Sequence, residues 1–317
     1  LLAYYIAAVN IESAFHARAG QYMPFDGIVL TDTFQLAEDS KQGGFGETMF
    51  PENNKRVKRQ KARDIRVIVG NPPYSAQQDS ENDNNKNLEY PILDDRIRTT
   101  YAAQSNAKLK KNLYDSYIRA IRWASDRIRS EGIIGFVTNG SFVDANNMDG
   151  LRKCLVEEFS TVYCFNLRGN QRTSGETSRR EGGKIFGSGS RTPVAITLLI
   201  KSPKETLPGR LFYHDIGDYL TREEKLAIVH QFASTQSLPW KVIAPNADGD
   251  WVNQRNPEFE VFPPLGDKET KGNAIFATYS QGILSARDAW VYNFSRSVVA
   301  ANISRMIDFY NAELERY

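Results

Sequence analysis

The sequence predicts an α/β fold, a sheet with helices on both faces, and three observations carry that prediction. Up to about residue 200, short apolar runs alternate with stretches of helical period. Polar residues gather at the carboxyl ends of those runs, where open α/β sheets hold their ligands. One such end reads Asn71-Pro72-Pro73-Tyr74, directly after Val67-Ile68-Val69-Gly70.

Taken in order, Leu1 to Val9 is an apolar helical stretch with no cap and no initiator Met, so the chain reads as a piece of a longer polypeptide. Gly27 to Leu30 reads as a strand closed by Thr31-Asp32-Thr33, and Val67 to Val69 as the next. Asp32 and Asn71 are thereby expected at the ends of neighbouring strands. Asn112 to Arg129 forms a helix with Leu113, Tyr117, Ile121, Ala124 and Ile128 on one face, stopped by Gly132. Ile133 to Val137 is a strand. Leu151, Cys154, Leu155 and Phe159 mark a helix, and Val162–Phe165 and Val194–Ile200 complete the sheet. Three connections are too long to be ordinary links: 35–64, 75–111 and 168–192. After residue 205 the texture changes. A helix from Thr221 to Ala233 opens with a capping box, Thr221 with Glu224, and a last helix runs to Tyr317. The expected division is 1–205 and 206–317, the second part being the start of an α+β domain.

A chain of 317 residues with 41% apolar residues can build a sizeable core. Its net charge of +2 says little, but its distribution says more. Lys55, Arg56, Lys58, Arg59, Lys61, Arg63 and Arg66 face only Asp64. The stretch 168–192 interleaves glycines with Arg168, Arg172, Arg179, Arg180, Lys184 and Arg191. A basic, glycine-rich loop settles onto a phosphate backbone; the competing reading is a solvated charge run. Cys154 and Cys164 are too few for a disulfide framework or a zinc site and read as core thiols of a reducing compartment. No metal is expected. No apolar run is long enough to span a membrane and no signal peptide is visible, so a cytoplasmic protein is expected.

The tetrapeptide carries the chemistry. Its prolines fix φ and remove two N–H donors. The pocket then faces acceptors only, the Asn71 side-chain oxygen and a main-chain carbonyl such as that of Pro72. Two acceptors on an exocyclic amino group make its nitrogen a better nucleophile, and the Tyr74 ring offers a face for a planar base. Together they form a site for methylating an amino group, usually that of adenine. The bland alternative is a chain breaker after a strand.

The chain resembles the adenine-amino DNA methyltransferases of restriction–modification systems. It is most similar to the methyltransferase and target-recognition part of single-polypeptide type I (type ISP) enzymes. The resemblance rests on Gly70 to Ser75, Tyr90 to Ile97, Asn112 to Ala124, Asn139 to Phe142 and Arg287 to Tyr292. It implies a Rossmann-like methyltransferase sheet whose cofactor-loop portion lies upstream of Leu1, with nuclease and helicase-like domains upstream as well. It also implies S-adenosylmethionine as cofactor and double-stranded DNA as partner. Asn71, Pro72, Pro73 and Tyr74 would hold the flipped adenine, and Phe186 would pack on the base from its other side. Asp32, with Thr33 and Phe34, would meet the cofactor adenine. Lys55, Arg56, Lys58, Arg59, Lys61, Arg172, Arg179 and Arg180 are the phosphate candidates, with Arg287 and Trp290 for base readout. The alternatives are a DNA-binding fragment without catalysis of its own, or methylation of RNA or of a protein glutamine.

Overall fold

The computed structural model describes residues 2–38, 50–74, 90–187, 190–205, 208–256, 258, 261–267, 272–280, 285 and 287–316. They fall into two compact units, Leu1–Gln254 and Arg255–Tyr317. The polar run 75–89 and Gly282–Leu284 lie outside the described residues.

In the first unit the elements are α1 (Leu2–Ala19), α2 (Pro51–Ala62), β1 (Val67–Gly70), α3 (Pro91–Thr99), α4 (Tyr101–Gln104), α5 (Ser116–Arg127), β2 (Gly132–Asn139), α6 (Asp149–Glu158), β3 (Thr161–Arg168), α7 (Gly175–Glu181), β4 (Val194–Lys201), β5 (Arg210–Asp215), α8 (Arg222–Phe232) and β6 (Lys241–Ile243). The strands form one sheet in the order β1-β2-β4-β3-β5-β6. β1 and β2 are parallel, as are β3 and β5, while β4 runs antiparallel between β2 and β3.

Strand alternation divides the core between the two faces. Val162, Cys164, Ala195 and Leu199 join one cluster with Tyr117, Ile121, Ala124 and Leu155 of α5 and α6. Phe165, Leu167 and Val194 point the other way, into a cluster covered by Ile228, Val229 and Phe232 of α8. Helices therefore cover both faces, as the sequence predicts. Leu113, Tyr117, Ile121, Ala124 and Ile128 are all buried as that helical face requires. The α-helix itself ends at Arg127, and Arg129 rather than Gly132 makes the left-handed exit (φ 55°), leaving Gly132 to open β2.

Two expectations fail. Gly27–Leu30 is not a strand, because the Asn53 side chain takes both main-chain groups of Leu30: its Oδ1 accepts the Leu30 N–H at 2.7 Å and its Nδ2 donates to the Leu30 carbonyl at 2.9 Å. Asp32 therefore does not end a strand beside Asn71. The change of texture near residue 205 is also no structural break. β5, β6 and the buried Trp251 belong to the first unit, whose limit falls at Gln254.

The connection back from β6 is fastened by Arg152, which is fully buried on α6. Its guanidinium pairs with Asp250 at 2.9 Å and donates to the carbonyls of Gly249, Phe142 and Ala145 at 2.8–2.9 Å. The next residue, Trp251, meets Phe142 edge to face at 5.9 Å. The second unit holds α9 (Asp288–Val291) and α10 (Arg296–Arg316). Among the described residues no helix is long and apolar enough to cross a membrane.

Removing one partner of a buried ion pair leaves the other charge uncompensated, at a cost of about 3–5 kcal/mol. Asp250→Ala is expected to lower the stability of the first unit by that amount. Urea unfolding checks it, and a loss within experimental error would count against this fastening.

Candidate active site

The parallel register of β1 and β2 pairs Gly70 with Phe136. Asn71-Pro72-Pro73-Tyr74 therefore leaves the sheet at its carboxyl edge, beside Val137. Space is tight at Gly70, where a Cβ would stand 3.1 Å from the Phe136 ring and the ring would have to shift slightly. Asn71 is exposed and Tyr74 half-buried. The Tyr74 hydroxyl donates to the Val137 carbonyl at 3.3 Å, and burial pushes its phenol up to about 12, so it is neutral across the physiological range. Asn139 at the end of β2, Arg168 at the end of β3 and the first residue of β4 meet at Val194. Phe186 stands just before β4, its ring centroid 5.6 Å from that of Tyr74 and inclined by 37°. The two aromatics expected on either side of a base are thus brought together.

Asp32, Thr33 and Phe34 form a short turn rather than a strand end. The Asp32 carboxylate takes the Phe34 N–H at 2.9 Å on Oδ1 and the Tyr90 hydroxyl at 2.7 Å on Oδ2. Tyr90 is fully buried, its ring edge-on to Phe34 at 5.4 Å, and burial together with Asp32 raises its phenol pKa. Glu38 fastens the same turn to the start of α3, accepting the N–H groups of Ile92 and Leu93 at 2.9 and 3.0 Å. Both oxygens of Asp32 keep further acceptor capacity, so the carboxylate fits an amino group such as that of adenine.

The expected basic residues are not a free loop. Residues 51–62 form α2. Lys55 pairs with Glu52, Arg56 reaches the Tyr4 hydroxyl, Arg59 the Asp26 carbonyl and Lys61 the Glu38 carbonyl. Arg172, Arg179 and Arg180 lie on or before α7, where Arg179 pairs with Glu176 and Arg180 with Asp218. In the second unit the Arg305 guanidinium lies 4.6 Å from the Trp290 ring centroid, and Arg287 precedes α9. No group of His, Cys, Asp and Glu that could hold a metal occurs among the described residues.

β1 forms the edge of the sheet, with Val67 61% and Val69 79% exposed. Beside it lies an open groove of about 710 Å³ lined by Ile28, Val29, Thr33, Ile65, Val67, Ile68 and Trp123.

Comparison with known proteins decides the family. The Eco57I restriction-modification methylase family matches residues 22–172, and the Type ISP C-terminal specificity domain matches residues 274–317. The chain belongs to the Type ISP restriction–modification family. It is similar over 100% of its length to LlaGI, a Type ISP restriction-modification enzyme solved as a nuclease-deletion mutant in complex with a DNA substrate mimic, at 48% identity and a TM-score of 0.90. It is similar over 98% of its length to LlaBIII, an ATP-dependent Type ISP enzyme bound to DNA, at 44% identity and a TM-score of 0.90. DrdV, solved as a DNA complex, matches at 40% identity and a TM-score of 0.85 over 98% of this chain. The chain spans 25% of the length of LlaGI, 21% of LlaBIII and 30% of DrdV. No curated protein matches it. The methylase match contains Asp32, Asn71 to Tyr74 and Tyr90, and ends before Phe186.

Sequence reasoning assigns no site role to Tyr90, Glu38, Asn53 or Lys225, although it places the helix that becomes α8 and includes Tyr90 in the resemblance. Tyr90-Pro91 does carry a signal, a polar aromatic directly before a helix-opening proline. On α8, Lys225 is fully buried with its ammonium 2.7 and 2.8 Å from the carbonyls of Glu181 and Gly183. Burial pushes it down to about 8. The native state then releases a proton that the unfolded chain keeps, so this group adds stability as pH rises from about 8 toward the free-lysine value of about 10.4. Across that window the unfolding free energy of the wild type is expected to rise relative to Lys225→Met. Parallel denaturation curves at both ends of the window would show that Lys225 ionises normally.

Proposed function

We propose that this methylase transfers a methyl group from S-adenosylmethionine to the exocyclic amino group of an adenine flipped out of duplex DNA. The observation that carries the reading is Asn71-Pro72-Pro73-Tyr74 at the carboxyl edge of β1 with the Tyr74 ring beside Phe186. Asn71 Oδ1 and the Pro72 carbonyl accept the two amino protons and raise the nucleophilicity of the nitrogen. Tyr74, neutral at working pH, and Phe186 hold the base by its faces. Flipping costs a few kcal/mol, and stacking on an aromatic returns about 1–3 kcal/mol per base. The cofactor supplies an electrophilic methyl group. As the N–C bond forms the methyl–sulfur bond would break and the neutral thioether would leave, while the amino nitrogen becomes acidic and passes a proton by way of its hydrogen-bond acceptors to water.

The Asp32 turn would hold the adenine of the cofactor, with Tyr90 and Glu38 keeping it in place. The open edge of β1 and its apolar groove suit a strand that brings the cofactor's remaining contacts, since an exposed apolar edge strand is otherwise a liability. Double-stranded DNA as partner is supported by the DNA complexes of the relatives. Upstream nuclease and helicase-like segments are supported by the nuclease removed from LlaGI and the ATP dependence of LlaBIII.

In the full-length enzyme, Asn71→Ala is expected to abolish methylation while folding and DNA affinity stay nearly unchanged, because Asn71 acts on the chemical step. Transfer assays with labelled cofactor check this, and a rate above about a tenth of wild type would reject the role. The 317-residue chain by itself is expected to bind S-adenosylmethionine weakly or not at all. Micromolar binding in calorimetry would place the missing contacts within it.

A further inference from the structure

The separation of Tyr74 and Phe186 poses a problem for the reading just given. A base held between two rings needs roughly 3.5 Å on each side, about 7 Å between the walls. The centroids stand only 5.6 Å apart. One wall must yield when the base enters, and the two are anchored very differently.

The segment that carries Phe186 is fixed to α8 and to the residues just before it. Lys225 donates to the Glu181 and Gly183 carbonyls at 2.7 and 2.8 Å, and Arg222 Nε donates to the Ile185 carbonyl, the residue before Phe186, at 2.8 Å. The Gly183 N–H donates to the Leu220 carbonyl at 2.8 Å. Contact this close demands glycine. Gly182 has φ +68°, and a Cβ there would come within 2.2 Å of the Leu220 oxygen. The neck of the loop is closed as well, since the Gly169 N–H meets the Glu181 carbonyl and the Gln171 amide meets the Gly182 carbonyl. Tyr74, in contrast, follows two prolines that donate no main-chain hydrogen bond, and its hydroxyl holds Val137 through a bond of 3.3 Å.

On the reading that Phe186 faces the target base, we propose that Lys225 and Arg222 are positioning residues that make Phe186 the fixed wall of the pocket, while Tyr74 is the wall that opens. Neither residue touches the base. Both act through the backbone of residues 181–185. A helix that follows the methylase match in sequence thus sets the geometry of the methylase pocket.

The experiment uses the full-length enzyme, with an unmodified cognate duplex for turnover and a second duplex carrying 2-aminopurine in place of the target adenine for base flipping. Arg222→Met and Lys225→Met are each expected to lower kcat for methylation by about 10- to 100-fold, with KM for S-adenosylmethionine and for DNA unchanged, because a misplaced wall costs rate rather than binding. The 2-aminopurine signal of the flipped base should change in both. Phe186→Ala should lower kcat at least as much, and Lys225→Met combined with Phe186→Ala should be no slower than Phe186→Ala alone. Losses that multiply in the double variant, or full rate in both single variants with Phe186→Ala impaired, would overturn the positioning role and leave the base-stacking reading intact. Full rate in Phe186→Ala would overturn both. Arg222 is half-exposed, so its variant carries the test should Lys225→Met fail to fold.

Discussion

The parallel pairing of β1 with β2 decides where the chemistry stands. Val67 against Ile133 and Gly70 against Phe136 put Asn71 at the carboxyl edge beside Val137, within reach of the Tyr74 hydroxyl. Antiparallel β4 then enters at the same edge, its Val194 paired with both Asn139 of β2 and Arg168 of β3. A slip of one residue in β1 would turn Ile68 out of the core and move the tetrapeptide away from Phe186. The site therefore rests on sheet register first and on side chains second.

Elements governed by local periodicity were legible in the sequence. β2, β3, β4 and the faces of α5 and α6 stand where their apolar patterns put them, and Thr221 with Glu224 forms both halves of the capping box on α8. Elements governed by a distant partner were not. Gly27–Leu30 has the composition of a strand, but Asn53, 23 residues later, satisfies its main chain instead. The unit continues past residue 205 because β5 pairs with β3 and Arg152 binds Asp250, contacts that no local pattern announces. Lys225 is buried because the carbonyls that receive it come from the end of α7 and the glycine just beyond it, more than 40 residues earlier in the chain.

The candidate site was legible to the same extent. Asn71 to Tyr74 are four adjacent residues, so their shared position at the carboxyl edge of β1 follows from the strand that precedes them. Phe186 reaches Tyr74 across 112 positions of sequence, and Asp32 is held by a tyrosine 58 positions away. Its hydrogen bonds within the fold and its proposed cofactor role are compatible. A carboxylate that orders its own turn through Phe34 and is pinned by Tyr90 has lost its rotamer freedom before any ligand arrives, so binding would not have to bear that ordering cost.

The basic residues call for a similar distinction. Charges that read as a free cluster are mostly engaged: Lys55 with Glu52, Arg179 with Glu176, Arg180 with Asp218. The first two pairs are exposed on both sides, and exposed pairs contribute only about 0.2–1 kcal/mol, so a phosphate can replace the carboxylate there at little cost; Asp218 is half-buried and shared with Arg168. Arg168 differs. It occupies a left-handed backbone position (φ 56°) at a register shift in β3, and it is only 22% exposed between Asp215 and Asp218. Exchanging those partners would unfasten the neck of the loop that carries Phe186. The phosphate contacts we propose therefore fall to α2 and the outer turn of α7, whereas Arg168 is assigned with Lys225 and Arg222 to the proposed frame of the pocket.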